Sequence, residues 1–569
     1  MRRMLPTAAA TAVCIASMTA IAGLPAAADR VPAEALVTIA IDDVAEFHDA
    51  VTSFLGKLPI PVDDEPLEAI EMLIDADGVN EDGSLAFVIM PETDEPVAIA
   101  PVDDYNAFVT GFGGNAGGGV DEFEIEGQSF FAKNLGGGYA VVAPRASLIE
   151  NFDGNAGNMA AHTKSVGKTG AKLAESSNLI VMANIPALAP TLKEGLAEQM
   201  EQMAGIAQMM GGAQADQIEG QMKMMNLVAE SFLRDADAGL LGIGFADHGV
   251  TLDLAAHFKE GSEIAGFFQQ SGDSSSMLSR VPNMDYIFAG AVDASPNGLQ
   301  TIAKNFAALS DEFNLSQPGF DIGQWLNAGN GFAGIMGKTP APLMGGLFSN
   351  TVYFLSGDGA DIAGALKNTY AGMDGTSQQG MTFNTSFDAG DVEVEGRTVD
   401  AWSLGFELDP NNPNAFQMQQ GMMMFLGPEM KMAGYGAATD KGYIQTMSQS
   451  KTLMAQALES AKDGNGLAKA DTVRAMAARL PEDRTAEVYV GIDTMLGYAQ
   501  QIMAMMGGPA QIDVPDNLNP IATGMTTSEG GFRSTTVIPM DVIDTLAKLA
   551  AQMGAGGGGD AQPRGNPRF

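Results

Sequence analysis

Cysteine is almost missing from this chain. Cys14 is the only one among 569 residues, and it lies inside an apolar N-terminal stretch that reads as a leader. Once that leader is removed no thiol remains, which excludes disulfides, thiolate nucleophiles and cysteine-held metals from the mature chain. Histidine is scarce too: His48, His162, His248 and His257 are the four present. None stands in the His-x-x-x-His or His-x-Glu spacing that would bring two metal ligands together. Basic residues are heavily outnumbered, 30 Lys and Arg against 70 Asp and Glu, for a formal charge of −40. Nucleic acid and anionic membranes are bound through clustered cations, so neither is expected as a partner. No stretch after the leader reaches the roughly 18 apolar residues of a membrane span. A Gly-x-Ser-x-Gly nucleophile elbow is also lacking. Aromatics are only 7% of the chain, so its apolar volume rests on aliphatic residues and on 36 methionines.

The first 28 residues have the order of a secretory signal. Arg2 and Arg3 supply the positive end, Met4 to Pro25 is small and apolar, and Ala26-Ala27-Ala28 offers the small residues a signal peptidase needs before Asp29. The segments flanking Cys14 do not make a lipoprotein box. The mature chain is therefore expected to be soluble and exported, to the periplasm or beyond, with its acidic surface solvated; dependence on cations or high salt is the alternative reading of that charge.

Hydrophobic periodicity then sets out the fold. Between Gly239 and Gln270, Leu241, Ile243 and Phe245 alternate, Asp247-His248-Gly249 supplies a turn, and Val250, Leu252, Leu254 and Ala256 alternate again. A helix capped by Ser262 follows, with Ile264, Phe267 and Phe268 on one side. The same plan recurs at Ile521–Thr527, Phe532–Ile538 and a helix from Asp541. Other elements recur in one order. The strand Ala35–Asp42 and its helix match Tyr286–Val292 and Leu299–Leu309, and the strand Asn178–Ile185 matches Glu487–Asp493. These echoes predict an α+β chain of two tandem pseudo-repeats, residues 29–275 and 276–553, with antiparallel sheets covered by helices on one face; a mixed sheet shared between the copies is the alternative. Residues 554–569 read as a Gly- and Pro-rich disordered tail.

Motifs that would carry chemistry fail on inspection. Gly337-Lys338-Thr339 lacks the first glycine of a phosphate loop, which would be Phe332, and Pro340 obstructs the helix that should follow. Gly167-Lys168-Thr169 has His162 in the same place. A dinucleotide fingerprint from Gly357 and Gly359 would need its third glycine at Ile362. Asp75, Asp77, Asn80 and Asp82 crowd one loop without the acid spacing of a calcium site. No cofactor and no metal is expected, and catalytic residues are not assigned.

Methionine is the one unusual enrichment. Leu192, Leu196, Met200, Met203, Ile206 and Met210 form a stripe at helical spacing, and Ile218, Met222 and Met225 continue it beyond Gly211-Gly212. This predicts a Met-rich helical hairpin in the first repeat. Thioether side chains fill irregular surfaces, so the stripe reads first as core and second as a soft groove built from Met200, Met203, Met210, Met222 and Met225.

The opening Val31-Pro32-Ala33-Glu34-Ala35-Leu36-Val37, and strand-then-helix units such as Val97–Phe108 with Pro101-Val102-Asp103-Asp104-Tyr105, resemble large exported proteins of unknown function from planctomycete-type bacteria. That resemblance implies export and a repeated α+β build, and it carries no active-site residue over. Three functions stay open. The first is a non-catalytic exported binding or structural protein of the envelope. The second is a carrier of a lipid-like apolar ligand under the Met-rich helices. The third is a hydrolase with a carboxylate pair.

Overall fold

The computed structural model describes residues 23–59, 65–91, 93, 95–125, 127–210, 212–312, 328–339, 346–378, 380–409, 415–505 and 514–556. The expected tail, residues 554–569, falls almost wholly outside them.

A 3-10 turn, Ala26–Arg30, opens the described chain. Strand β1 (Val37–Ile41) leads into helices α1 (Val44–Leu55) and α2 (Glu65–Ile74). Strands β2 (Leu85–Ile89) and β3 (Val97–Pro101) precede α3 (Tyr105–Gly111). A meander follows, of β4 (Asp121–Ile125), β5 (Gln128–Gly136) and β6 (Tyr139–Ala143). Helices α4 (Ala146–Ile149) and α5 (Met159–Ala174) come before β7 (Leu179–Asn184). The long helices α6 (Ile185–Met210) and α7 (Gly212–Asp235) run into β8 (Ala236–Ala246), β9 (Gly249–Phe258) and α8 (Glu263–Phe267).

The second half opens with α9 (Ser274–Leu278), β10 (Tyr286–Asp293) and α10 (Asn297–Glu312). Strands β11 (Gly329–Gly337) and β12 (Thr351–Gly357) come before α11 (Gly359–Met373). Next are β13 (Ser377–Gln378), β14 (Met381–Val394), β15 (Arg397–Leu408), α12 (Ala415–Leu426), β16 (Lys431–Thr439) and β17 (Gly442–Thr446). Helices α13 (Lys451–Asp463) and α14 (Asp471–Ala477) precede β18 (Ala486–Val490) and α15 (Ile492–Met505). Strands β19 (Ile521–Ser528) and β20 (Gly531–Pro539) and helix α16 (Met540–Gly556) complete the described chain.

The twenty strands among the described residues belong to one sheet, and every described pairing is antiparallel. In the first half the spatial order is β4-β5-β6-β3-β2-β1-β7-β8-β9. In the second it is β13-β14-β15-β16-β17-β12-β11-β10-β18-β19-β20. The halves join where β9 pairs with β20 over nine residues, Gly249↔Pro539 to His257↔Gly531, with Asp253↔Thr535 as the middle pair. Strand β7 lies between β1 and β8, and β18 between β10 and β19.

Helices pack on both faces of this sheet, which corrects the expectation of cover on one. On the first face Leu278, Ala291, Ile335, Phe354, Leu458, Met476 and Val537 make one core in the second half, and Leu173, Ile180, Leu240 and Ala255 make another in the first. The close approach of α5 depends on small residues beneath it. A Cβ at Gly242 would collide with Leu173 and Ser177. Helix α5 bends at Gly167, whose φ of 62° suits glycine and whose Cβ would strike the ring of His257. On the second face α1 and α2 cover Ile41, Leu85, Leu179 and Phe245.

Buried tyrosines give this fold an alkaline limit. Burial pushes Tyr286, Tyr370, Tyr443 and Tyr489 well above the ordinary phenol range. Asp400 and Glu487, which accept the hydroxyl bonds of Tyr443 and Tyr489 at 2.9 and 2.8 Å, add to the effect. The folded state therefore keeps protons that an unfolded chain releases near pH 10. Stability from these groups is whole below about pH 10 and is lost as pH rises beyond it. In an alkaline titration their phenolate absorbance should appear only together with loss of circular dichroism. An ordinary phenolate titration of all nine tyrosines in the folded protein would contradict their burial.

Candidate functional site

Among the described residues, the second face of the sheet is closed at both ends of its central strands and uncovered between. At one end Phe47 and Phe54 of α1 meet Phe245 of β8, with ring centroids 6.3 and 5.4 Å apart. At the other end Phe258 of β9 contacts Phe232 of α7 and Phe268 at 5.5 Å each, and Phe268 contacts Phe532 of β20. Ile185 and Leu233, from the roots of α6 and α7, join this second cluster. Register places Phe87, Ile39, Val181, Leu241 and Leu254 in one row across β2, β1, β7, β8 and β9. In that row and beside it, Phe87, Leu241, Leu252 and Leu254 keep 37–51% of their surface exposed. Strands are about 4.8 Å apart, so the row from β2 to β9 spans about 19 Å.

A second uncovered patch lies on the other side of the seam. Phe288, Val292 and Phe332 on β10 and β11 are 39–44% exposed, and the Phe332 ring contacts Tyr353 at 5.5 Å. Between the patches runs a polar strip, in which Thr523 and Thr536 bond hydroxyl to hydroxyl at 2.9 Å. Contiguous apolar surface of this kind marks a binding face more often than chance exposure of single side chains does.

The sequence signal for this face is incomplete. Leu241, Ile243 and Phe245 are the large residues of an alternating run in β8, which tells that they share a face and not whether it is covered. The closed face carries Ala238, Leu240, Gly242 and Gly244, and its burial comes from α5 lying directly on it, with Leu173 packed against Leu240 and Gly242. Two apolar faces on one strand, one of them glycine-rich around Leu240 and the other all large, are the pattern that could have revealed the arrangement.

The five methionines assigned to a groove do not share one environment. Met222 is buried, Met200 and Met203 are half-buried, and Met225 is exposed; the side chain of Met210 lies outside the described residues. Helices α6 and α7 do pack on one another. Their exposed apolar side chains include Leu192, Met225, Leu227 and Val228.

A polar cleft of about 350 Å³ sits at the Phe245 end of the strands, lined by Asp42, Asp43, Glu46, Glu175, Asn178 and His248 among others. Burial, reinforced by the charge of Asp43, raises the Asp42 carboxyl above its ordinary range. Burial, aided by Arg479, lowers the His248 imidazole. Elsewhere the notable carboxylates are tied into the sheet. Glu487 accepts from Arg484 Nε at 3.0 Å and from the Tyr489 hydroxyl, while its Oε1 takes no hydrogen bond among the described residues. No group of three or more His, Cys, Asp or Glu able to hold a metal ion occurs among the described residues. Among them, too, no helix is long and apolar enough to cross a membrane.

Comparison with family models, with curated proteins and with solved structures finds no match.

Proposed function

We propose that this chain is an exported, non-catalytic protein that holds a lipid-like apolar ligand on the uncovered face between β2 and β9. The observation that carries the reading is the apolar patch of Phe87, Leu241 and Leu254 in one register row with Leu252 beside it, exposed between two aromatic closures. An acyl chain suits it by size. Half of a bilayer's ~30 Å hydrocarbon core is about 15 Å, which fits within the ~19 Å row. Other occupants suit it less. The strands are paired on both sides, so no free edge invites an added peptide strand. A charge of −40 opposes docking of a second copy or of an anionic membrane.

The repeat belongs to the same reading. We take residues 29–275 and 276–553 as two copies of one unit. Support comes from the matching neighbours of β1 and β10, of β7 and β18, and from the seam that is symmetric about Asp253↔Thr535. Two copies give two apolar patches, hence room for two chains of one lipid.

Lipid extraction and mass spectrometry of protein purified from an export-competent host test the proposal. An acyl-bearing species in stoichiometric amount is the expected result. A clean extract, together with no binding of a fluorescent fatty acid, would leave the scaffold reading in its place.

A further inference from the structure

Two stretches near the N-terminus have the small-x-small pattern a signal peptidase accepts, Ala26-Ala27-Ala28 and, six residues earlier, Ala20-Ile21-Ala22. Sequence does not separate them. The fold does, because the residues between the two cuts are built into it. Ala27 and Ala28 are fully buried, in two different cores. The Ala27 amide donates to Ser84 Oγ at 2.6 Å, in a buried bond. Leu24 packs against the core made by Leu173, Ile180 and Leu240. Gly23 lies so close to α5 that a Cβ there would stand 3.0 Å from that of Ala171.

The second half shows what this segment is for. Ser279-Arg280-Val281-Pro282 precedes β10 as Asp29-Arg30-Val31-Pro32 precedes β1. Val31 and Val281 are both fully buried. Arg30 Nη1 donates to the carbonyls of Leu135 and Gly154 at 3.4 and 3.3 Å, and Arg280 Nη1 to that of Ala461 at 2.8 Å. Helix α9 stands immediately before the second motif, with Leu278 fully buried, where the turn Ala26–Arg30 leads into the first and shares Asp29 and Arg30 with it. The turn is thus the entry element of the first half, as α9 is of the second. A chain beginning at Asp29 would lose Ala26, Ala27 and Ala28, the first three of its five residues.

We infer that the leader is removed between Ala22 and Gly23, not after Ala28. Water adds across that peptide bond under a signal peptidase, its hydroxyl completing the Ala22 carboxylate and its proton the Gly23 amine. This inference rests on the export reading, and the test keeps the two apart. The full chain is expressed with its own leader in a Gram-negative host, and the N-terminus of the exported protein is sequenced. Gly23 is the expected first residue, and Ala22→Tyr should make uncleaved precursor accumulate. A first residue at Asp29 would overturn the inference and leave export standing. An intact Met1 on all of the protein would overturn export itself. A second arm needs no export: chains made from Gly23 and from Asp29 are compared by thermal unfolding. The shorter one should melt several degrees lower, and equal melting would show that the turn is dispensable and sink the inference.

Discussion

Replacing Asp253 by alanine should cost about 3–5 kcal/mol, the usual penalty for removing one partner of a buried ion pair. Asp253 is 1% exposed and sits at the centre of the β9–β20 seam. Its Oδ1 accepts from Arg533 Nε at 2.8 Å and from the hydroxyl of the buried Thr535 opposite. Arg533 in turn donates to Ser176 Oγ at 2.8 Å and to the Lys172 carbonyl at 3.1 Å, which ties the seam to α5 and its C-terminal turn. Alanine would strand a guanidinium that is only 14% exposed and leave Thr535 without its acceptor. Urea unfolding is the measurement. A single transition in the parent should shift strongly, and because the lesion lies where the halves join, it should begin to separate into two. Asp253→Leu combined with Arg533→Met should recover much of the loss, since an apolar pair there has no charge left to satisfy. An unchanged midpoint for the alanine variant would mean that the seam is wet.

Much of the fold is legible in the sequence, for reasons that vary by element. The hairpin of β8 and β9 and the helix capped by Ser262 follow from alternation, a two-residue turn and a side-chain cap, all local signals; Ser262 Oγ accepts from the Ala265 amide at 3.2 Å. The meander β4-β5-β6 is legible in the same way. Helix α5 is not, because its apolar residues are few and Gly167 divides it. Strand β14 begins well before the stretch legible in the sequence, Val392–Glu395, since Met381–Asp388 alternates with little burial on either face. Pairing across the seam is invisible to any local pattern, and so is cover on both faces. Those depend on which helix returns to which face, a matter of connection and of glycine spacing. The N-terminal turn is ambiguous in the sequence for a different reason. A short run of alanines suits a peptidase and a tightly packed turn equally well, and only its neighbours in space show that these alanines are packed.

Of the candidate site, the apolar residues were legible and their exposure was not. That makes a charged substitution on the open face informative, because it separates binding from folding. In the double variant Leu241→Asp with Leu254→Asp, the affinity for an apolar fluorescent probe should fall about 100-fold. Each leucine lost removes about 1.5–3 kcal/mol of apolar burial when covered by ligand, and each carboxylate would have to be desolvated besides. Even with partial contact the sum passes the ~2.7 kcal/mol that a 100-fold loss requires. The melting temperature should hardly move, since both side chains are already at least 40% exposed and their new charges stay in water. Phe288→Asp with Phe332→Asp serves as the matched pair on the second patch. Equal losses from the two pairs would mean one ligand spanning the seam, and loss from the first pair alone a ligand confined to β2–β9. A variant that melts several degrees lower while binding the probe as before would show instead that this face is covered by the chain itself, and the carrier reading would be withdrawn.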